Sequence, residues 1–259
     1  MSGSGKYNWT GWLAFAVLLL LWEIGSRSNP RLQLYIPPIS QILAALSRII
    51  LAGQINAHLF STVIRFLESY LLAAAIAVTL GVILGYFRFA HSLLETAIEF
   101  LRPMPSVAII PVAILLLGIG DSMIVAVTVY ASMWPILINT IDGVRHIDHT
   151  LVDTGRTFGL SRRRILWQII LPAASPYIVT GLRISLSIAL ILVTTAEMIS
   201  GSKGLGFFIL DEERSLQTSN MYAGIVLVAV LGYALNRLFV ALEGKAMKWR
   251  RGMVAREAV

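Results

Sequence analysis

The segment TLVDTGRTFGLSRRRILWQIILP, residues 150–172, is the longest polar and charged excursion between two apolar spans of the chain. It also holds leucine, valine, phenylalanine and tryptophan, enough apolar material to fold rather than dangle. That combination points to a docking surface. Thr150 is placed to cap a short helix with Asp153 in its first turn, where the positive end of the helix dipole favours an acid. Gly159 fits the position just past the helix end, where a left-handed backbone is needed and a Cβ is penalised. Ser161 can cap a second helix through Arg162, Arg163 and Arg164 to Ile170, and Leu171-Pro172 is expected to break it. Three arginines in a first turn oppose the dipole, so an acidic partner or anionic headgroups explain them better than helix stability does. Helix from Thr150 to Phe158 reaches about 13 Å, far short of a bilayer core of about 30 Å, so this element lies on the membrane surface.

The rest of the chain supplies the membrane. Of its 259 residues 57% are apolar and the mean hydropathy is +0.77, outside the range of soluble domains. The absence of cysteine removes disulfide and thiolate chemistry. A net charge of +7 would suit nucleic acid, but the lysines and arginines cluster beside apolar spans, which is how membrane topology is written. Gly3-Ser4-Gly5-Lys6 is not a phosphate-binding loop: no strand precedes it and Tyr7 stands where Ser or Thr is needed.

Six spans follow from hydropathy. The first, Trp9 to Ile24, has Trp9, Trp12 and Trp22 near its ends as interfacial anchors, and without a cleavage pattern after it is expected to be retained. Residues 26–60 form an outer loop with an extended turn at Tyr35-Ile36-Pro37-Pro38 and an amphipathic surface helix from Ser40 to Leu51. The second span, Ser61 to Phe87, carries Ala73, Ala77, Gly81 and Gly85 on one face, a stripe that lets a neighbouring helix approach closely. Arg65 and Glu68 are expected to pair locally there. Arg88 to Arg102 is a short inner connection in which His91 reads as a solvated residue without metal-ligand companions. The third span begins near Pro103 and must be kinked by Pro105 and Pro111, as tolerated where backbone faces protein or a water-filled cavity. After a tight turn at Gly118-Asp121 the fourth span returns from Ser122 to Ile141; Ser175-Pro176 starts the fifth, which runs to Ser200. Residues 199–220 form a second outer loop, with a solvated acidic run at Asp211-Glu212-Glu213, and Tyr222 to Leu242 is the sixth span.

The fifth span has the most informative polar pattern. Thr180, Arg183, Ser187, Leu190, Thr194 and Glu197 recur at spacings of three and four and so share a nearly straight face. Arg183 and Glu197 lie roughly 21 Å apart along it, too far to pair. Ionisable groups within a span face the bundle interior or water, so this face is a candidate translocation path, with Glu197 near an outer gate. Met104 and Pro105 of the broken third span are candidates for the same path. The competing reading of Arg183 and Glu197 is that they snorkel to opposite headgroup layers. Charge sets the orientation. With both termini inside, the inner segments hold Lys6, Arg88, Arg102, Arg145, Arg156, the three loop arginines and Lys245, Lys248, Arg250, Arg251 and Arg256. The outer segments hold Arg27, Arg31, Arg48, Lys203 and Arg214.

Asp153, Gly159 six residues on, and then Ile169, Leu171 and Pro172 resemble the cytoplasmic loop of bacterial ABC importer permeases. In that pattern Glu-Ala-Ala is followed after three residues by Gly, and after nine more by Ile, any residue, Leu-Pro; here Asp153-Thr154-Gly155 replaces the triplet. Pro37-Pro38, Arg102-Pro103-Met104-Pro105 with Pro111, Asn139 to Arg145, Gly181-Leu182-Arg183, and Ala196-Glu197-Met198 followed by Gly204-Leu205-Gly206 are similar to the nitrate, sulfonate, taurine and bicarbonate permeases. Pyrimidine-precursor importers share some of these flanking motifs.

The resemblance implies an all-α membrane protein with the fold of type I ABC importer permeases. It would be a single permease domain over residues 1–259, six transmembrane helices with a cytoplasmic coupling helix inside a loop at 145–173. Thr150, Asp153, Thr154, Gly155, Arg156, Phe158, Gly159, Leu160, Ile169, Leu171 and Pro172 would engage an ATPase. The implied partners are a second copy of the chain, two ATP-binding subunits, a periplasmic or lipid-tethered binding protein and the lipid bilayer of a bacterial inner membrane, with no nucleic acid. ATP and Mg would be held by the ATPase, with no cofactor, metal or catalytic residue in this chain. A small anion is the expected cargo, a sulfonate such as taurine first, with nitrate, bicarbonate or a pyrimidine-type compound behind it. A secondary transporter working without a motor lacks support, because no span carries the buried acid pairs of a proton relay and no repeat relates the halves. A membrane-embedded enzyme would need a catalytic constellation that four scattered histidines do not supply.

Overall fold

The chain was described as a computed structural model over residues 9–246, and every element among them is helical. The Gly3-Lys6 segment and the tail residues Lys248, Arg250, Arg251 and Arg256 lie outside the described residues. Six segments are long and apolar enough to cross a membrane: Trp9–Ser28, Pro30–Leu51, Asn56–Tyr86, Asp121–Arg145, Arg162–Ile199 and Thr218–Lys245. A bent pair, Arg88–Leu101 with Ser106–Leu117, raises the count to seven if it is one span.

The core is a three-helix layer. α1 (Trp9–Ser28), α2 (Pro30–Tyr35) and α3 (Ile39–Leu51) precede α4 (Asn56–Tyr86), which lies along α7 (Asp121–Arg145), and α10 (Leu171–Ser200) covers the other side of α7. The small-residue stripe of α4 makes this approach possible. Ala73 and Ala77 are buried, a Cβ on Gly81 would come within 2.6 Å of Thr140 Cβ, and one on Gly85 within 2.6 Å of Val144 Cβ. Tyr70 adds a hydrogen bond from its hydroxyl to Leu182 O (2.9 Å), tying α4 to α10. α12 (Thr218–Ala246) lies outside this layer against α3 and α10.

Several expectations are corrected. The 26–60 loop is mostly helical: α3 buries Ile42, Ala45 and Ile49 with Leu205, Phe208 and Ala223 rather than floating on a surface. Pro37 and Pro38 divide it from α2, and Trp22 Nε1 donates to Pro37 O (3.1 Å), so the proline turn is docked on α1. The third span is shorter than expected. Between α5 (Arg88–Leu101) and α6 (Ile110–Leu117) a 3-10 turn, Ser106–Ile109, follows Pro105, and the chain bends there by 90°. Pro103 and Pro105, between the two helices, cannot supply an N–H to continue one, whereas Pro111 sits in the first turn of α6, where none is needed.

The other corrections concern proline and polar partners. Pro172 does not break the helix. After α8 (His149–Thr157) and the short α9 (Arg162–Ile165), residues Leu166–Ile170 form a π-helical turn in which Leu171 N–H reaches Leu166 O. The wider turn makes room for the ring of Pro172, whose clash with the carbonyl four residues back ends an ordinary α-helix. Pro176 likewise lies inside α10 rather than at its start, and Ser175 Oγ takes over Pro172 O (2.8 Å), the carbonyl that Pro176 cannot satisfy. Residues 201–220 are not a plain loop, because α11 (Leu205–Arg214) buries Leu205, Phe208 and Ile209 there. Arg65 turns away from Glu68 to distant acids described below. His91 is not a free surface residue, since its Nε2 lies 3.0 Å from Arg145 Nη1 and its Nδ1 3.5 Å from Glu95 Oε2.

Candidate functional sites at the two ends of the bundle

At one end, residues 148–172 fold back as a compact corner. The N-cap of α8 is Asp148, not Thr150: the Asp148 carboxylate accepts from Thr150 N–H at 2.8 Å. Those hydrogen bonds from Thr150 hold the Asp148 carboxyl below the usual carboxylate range. The first turn therefore has no acid, and Asp153 instead accepts from Arg156 Nη1 (2.9 Å) on the exposed surface. Gly159 has φ +72°, and the closing hydrogen bonds run from Leu160 N–H to Gly155 O (3.0 Å) and from Gly159 N–H to Arg156 O (2.9 Å). This is the Schellman arrangement, in which the left-handed residue satisfies the last carbonyls of a helix. Ser161 caps α9 as expected, accepting from Arg164 N–H at 3.4 Å.

The corner is held by a small apolar cluster. Ile165, Ile170, Val144 and Ala174 are buried, with Val152, Leu160 and Ile169 against them. Gly155 sits at the contact: a Cβ there would lie 2.6 Å from Ile169 Cδ1. Gly155 and Ile169, read separately in the sequence, thus touch, and the small residue is required by the apolar one. Leu171 is half-buried and Pro172 exposed. Thr150, Asp153, Thr154, Arg156 and Gly159 face outward, as does Phe158 at 81% exposure, with Leu151 also exposed on the same helix.

The opposite end contains a buried charge node that the sequence did not disclose. Glu197, 0% exposed near the end of α10, accepts from Arg65 Nη1 (2.9 Å) of α4 and from Gly206 N–H (3.0 Å) of α11. Thr62 Oγ1 lies 3.0 and 2.9 Å from its two oxygens and accepts from Leu205 N–H at 2.8 Å. Arg65 also donates from Nη1 to Lys203 O (2.7 Å) and from Nε and Nη2 to Asp121 Oδ1 (2.9 and 2.6 Å). His58 Nδ1 lies 3.2 Å from Gly204 N and stacks on Phe207. A Cβ on Gly204 would collide with the Glu197 carboxylate, and one on Gly206 with Thr194 O. The Ala196-Glu197-Met198 and Gly204-Leu205-Gly206 motifs are therefore one construction.

The face of α10 divides accordingly. Thr180, Arg183 and Ser187 are exposed, Thr194 is half-buried and Leu190 and Glu197 are buried. At 3.6 residues per turn, positions 180 and 197 differ by roughly 100° around the axis, so the straight face expected from the spacing winds from the open side into the core. Arg183 has no hydrogen-bonding or ion-pairing partner among the described residues. Met104 lines a separate apolar cleft of about 380 Å³ with Val112, Leu116 and Tyr130, and Pro105 is exposed beside it. The 3-10 turn that follows them packs on α10. No group of three His, Cys, Asp or Glu residues with metal-site geometry occurs among the described residues.

Residues 77–248 match the family described as the binding-protein-dependent transport system inner membrane component. The chain belongs to this family of ABC importer permeases. The permease is 31% identical to a putative ABC transporter permease protein of Methanocaldococcus jannaschii, over 92% of this chain and 91% of the relative. It is 29% identical to a putative aliphatic sulfonates transport permease protein of Bacillus subtilis, over 96% and 90%. A nitrate import permease of Synechocystis sp. and a taurine transport permease of Escherichia coli are also similar, placing the permease among the nitrate, sulfonate and taurine members. Its fold is that of the type I importer permeases: the inward-facing MetNI methionine ABC transporter aligns with a TM-score of 0.60 at 19% identity, over 71% of the permease and 91% of that chain.

Proposed function

We propose that this permease is the non-catalytic transmembrane subunit of an importer for a small anion, a sulfonate such as taurine foremost. Two copies would enclose the path, two ATP-binding subunits would dock at the α8 corner, and a periplasmic or lipid-tethered binding protein would deliver cargo at the Glu197 end. ATP and Mg belong to the docked subunits in this reading. The host membrane is a bacterial inner membrane with both chain termini in the cytoplasm. The chain is one permease domain, with the coupling loop at 145–173.

Arg183 carries the cargo reading. It lies near the middle of α10, exposed and unpaired, with Thr180 and Ser187 about one turn to either side on the same face. An unpaired guanidinium at that depth is costly against lipid, so the face is turned to a water-filled path or a second copy. A fixed cation beside the Ser187 hydroxyl, with the Thr180 hydroxyl donating to Pro176 O (2.8 Å), suits a sulfonate, nitrate or bicarbonate oxygen better than a neutral heterocycle. Thr194, Met104 and Pro105 extend the proposed path, while Glu197 braces its outer end from within.

The coupling reading rests on the shape of the α8 corner. Gly159 and the Gly155–Ile169 contact fix α8 on α9 and the π-helical turn, so force on Phe158, Asp153 or Thr154 would pass into α10 as a rigid-body movement. The test is uptake into proteoliposomes holding the permease with its ATPase and binding protein, comparing taurine, an alkanesulfonate, nitrate and a pyrimidine. ATP-dependent uptake of a sulfonate supports the reading. Uptake of the pyrimidine alone overturns the anion assignment, and uptake driven by an ion gradient without ATP overturns the importer itself.

A further inference from the structure

The groove between the α4–α5 corner and the α8–α9 corner is lined by Tyr86, Phe87, Arg88, Phe89, Arg156 and Arg162, with a cavity of about 520 Å³. No acid lines it. Arg88 and Arg162 have no hydrogen-bonding or ion-pairing partner among the described residues, and Arg156 commits only Nη1, to Asp153. The neighbouring cleft, lined by Asp142, Arg145 and His146, shares Arg88 and Arg156 with this groove; Asp142 is the acid on that side, Arg145 is engaged with His91, and Arg162 belongs to the groove alone.

Arg88 and Arg162 come together with no paired counter-charge, Arg156 has only the exposed Asp153 on one nitrogen, and the coupling surface does not require Arg88 or Arg162. The rim gives the missing component. α5 buries none of its residues, and Phe89, Leu93, Ala97 and Phe100 recur on one face while His91, Glu95 and Glu99 recur on another. Phe89 at 82% exposure stands on the apolar face directly beside Arg88. An amphipathic helix of this kind lies in the plane of a membrane interface, which puts the groove at headgroup depth. An apolar rim at the mouth of a basic groove accommodates acyl chains while the arginines hold an anionic headgroup.

We propose that Arg88, Arg156 and Arg162 form a binding site for the phosphate of an anionic phospholipid, bridging α5 to the α8–α9 corner. A lipid there neutralises the groove and ties the corner to the membrane surface. The site requires only that α5 lie at a membrane interface, and it stands or falls independently of the cargo.

The test uses the full chain, purified in detergent and offered phosphatidylglycerol or phosphatidylcholine, with retained lipid counted by native mass spectrometry. Phosphatidylglycerol should be retained in preference to phosphatidylcholine, and Arg88→Gln with Arg162→Gln should weaken that preference by about tenfold to thirtyfold, since each basic residue near a headgroup contributes roughly equally. The Arg88→Lys, Arg162→Lys variant keeps both charges and should retain most of the preference, which separates loss of the site from loss of the fold. Equal retention of both lipids, or a Gln variant that behaves as the parent, overturns the proposal. Displacement of phosphatidylglycerol by inorganic phosphate at millimolar concentration would assign the site to free phosphate and overturn the lipid. Unchanged lipid retention with lost ATPase binding would assign the arginines to an acidic protein surface.

Discussion

Glu197 is a buried ion-pair partner in the fold, though read in the sequence either as a residue near an outer gate or as one that snorkels. Its carboxylate is completely buried, and its partners come from α4 and α11. Removing one member of a buried ion pair leaves the other uncompensated, at a cost of about 3–5 kcal/mol. Glu197→Ala should lower the melting temperature of the detergent-solubilised permease accordingly, while Glu197→Gln, which still accepts from Gly206 N–H, should lower it less. A melt unchanged by Glu197→Ala would mean that the node does not hold that end of the bundle together. The sequence could not disclose the pairing, since Arg65 and Glu197 are separated by 132 positions and Glu68 stood one turn from Arg65 as an apparent partner. The usable signal was the glycine pair at 204 and 206, whose missing Cβ atoms leave room for that carboxylate and the adjoining backbone.

For the elements, periodicity and punctuation were good guides where contacts are local and poor ones where they are not. The small-residue stripe of α4 does pack on α7, and Gly159 does adopt the left-handed backbone, because both follow from short-range sterics. Pro172 misled because a π-helical turn absorbs it, and α11 was missed although Leu205, Phe208 and Ile209 have the i, i+3, i+4 spacing of a buried face. The α8 cap was displaced by two residues, from Thr150 to Asp148, and this has a consequence in acid. The Asp148 carboxyl is held below its ordinary value, so its contribution is complete above the usual carboxylate range and lost as pH falls through the lowered folded value. Amide exchange in α8, corrected for intrinsic rates, should be unaffected between pH 8 and 6, and protection should fall in strong acid. Asp148→Asn, which caps without titrating, should remove that acid dependence; an identical acid loss in the variant would show that another group controls α8.

At the scale of the whole molecule, the proposed function makes the α8 corner a lever, and the buried Glu197 node braces the opposite end. α10 connects them, running from the π-helical turn beside α8 to Glu197, with Arg183 near its middle. If Arg183 contacts the cargo, Arg183→Gln should raise the KM for anion uptake by about tenfold to a hundredfold, the effect of losing one hydrogen bond to a charged group, while assembly with the ATPase is kept. Arg183→Lys should fall between the two. An unaltered KM would remove Arg183 from the path. Five of the expected spans coincide with long apolar helices because a bilayer imposes length and composition on every span, whereas Pro30–Leu51, also long enough to cross, was expected as an outer surface helix, and the expected third span is half of the bent pair.

The most direct measurement of the central claim is ATP hydrolysis by the reconstituted complex, with and without the ligand-loaded binding protein, for the parent permease and its Gly159→Leu variant. At φ +72° a leucine costs roughly 1–2 kcal/mol and disturbs the turn that seats α8. The account predicts that the variant still spans the membrane and still binds its ATPase, yet loses most of the ligand-stimulated hydrolysis. A variant that stimulates hydrolysis as the parent does would contradict the assignment of residues 148–172 as the coupling element.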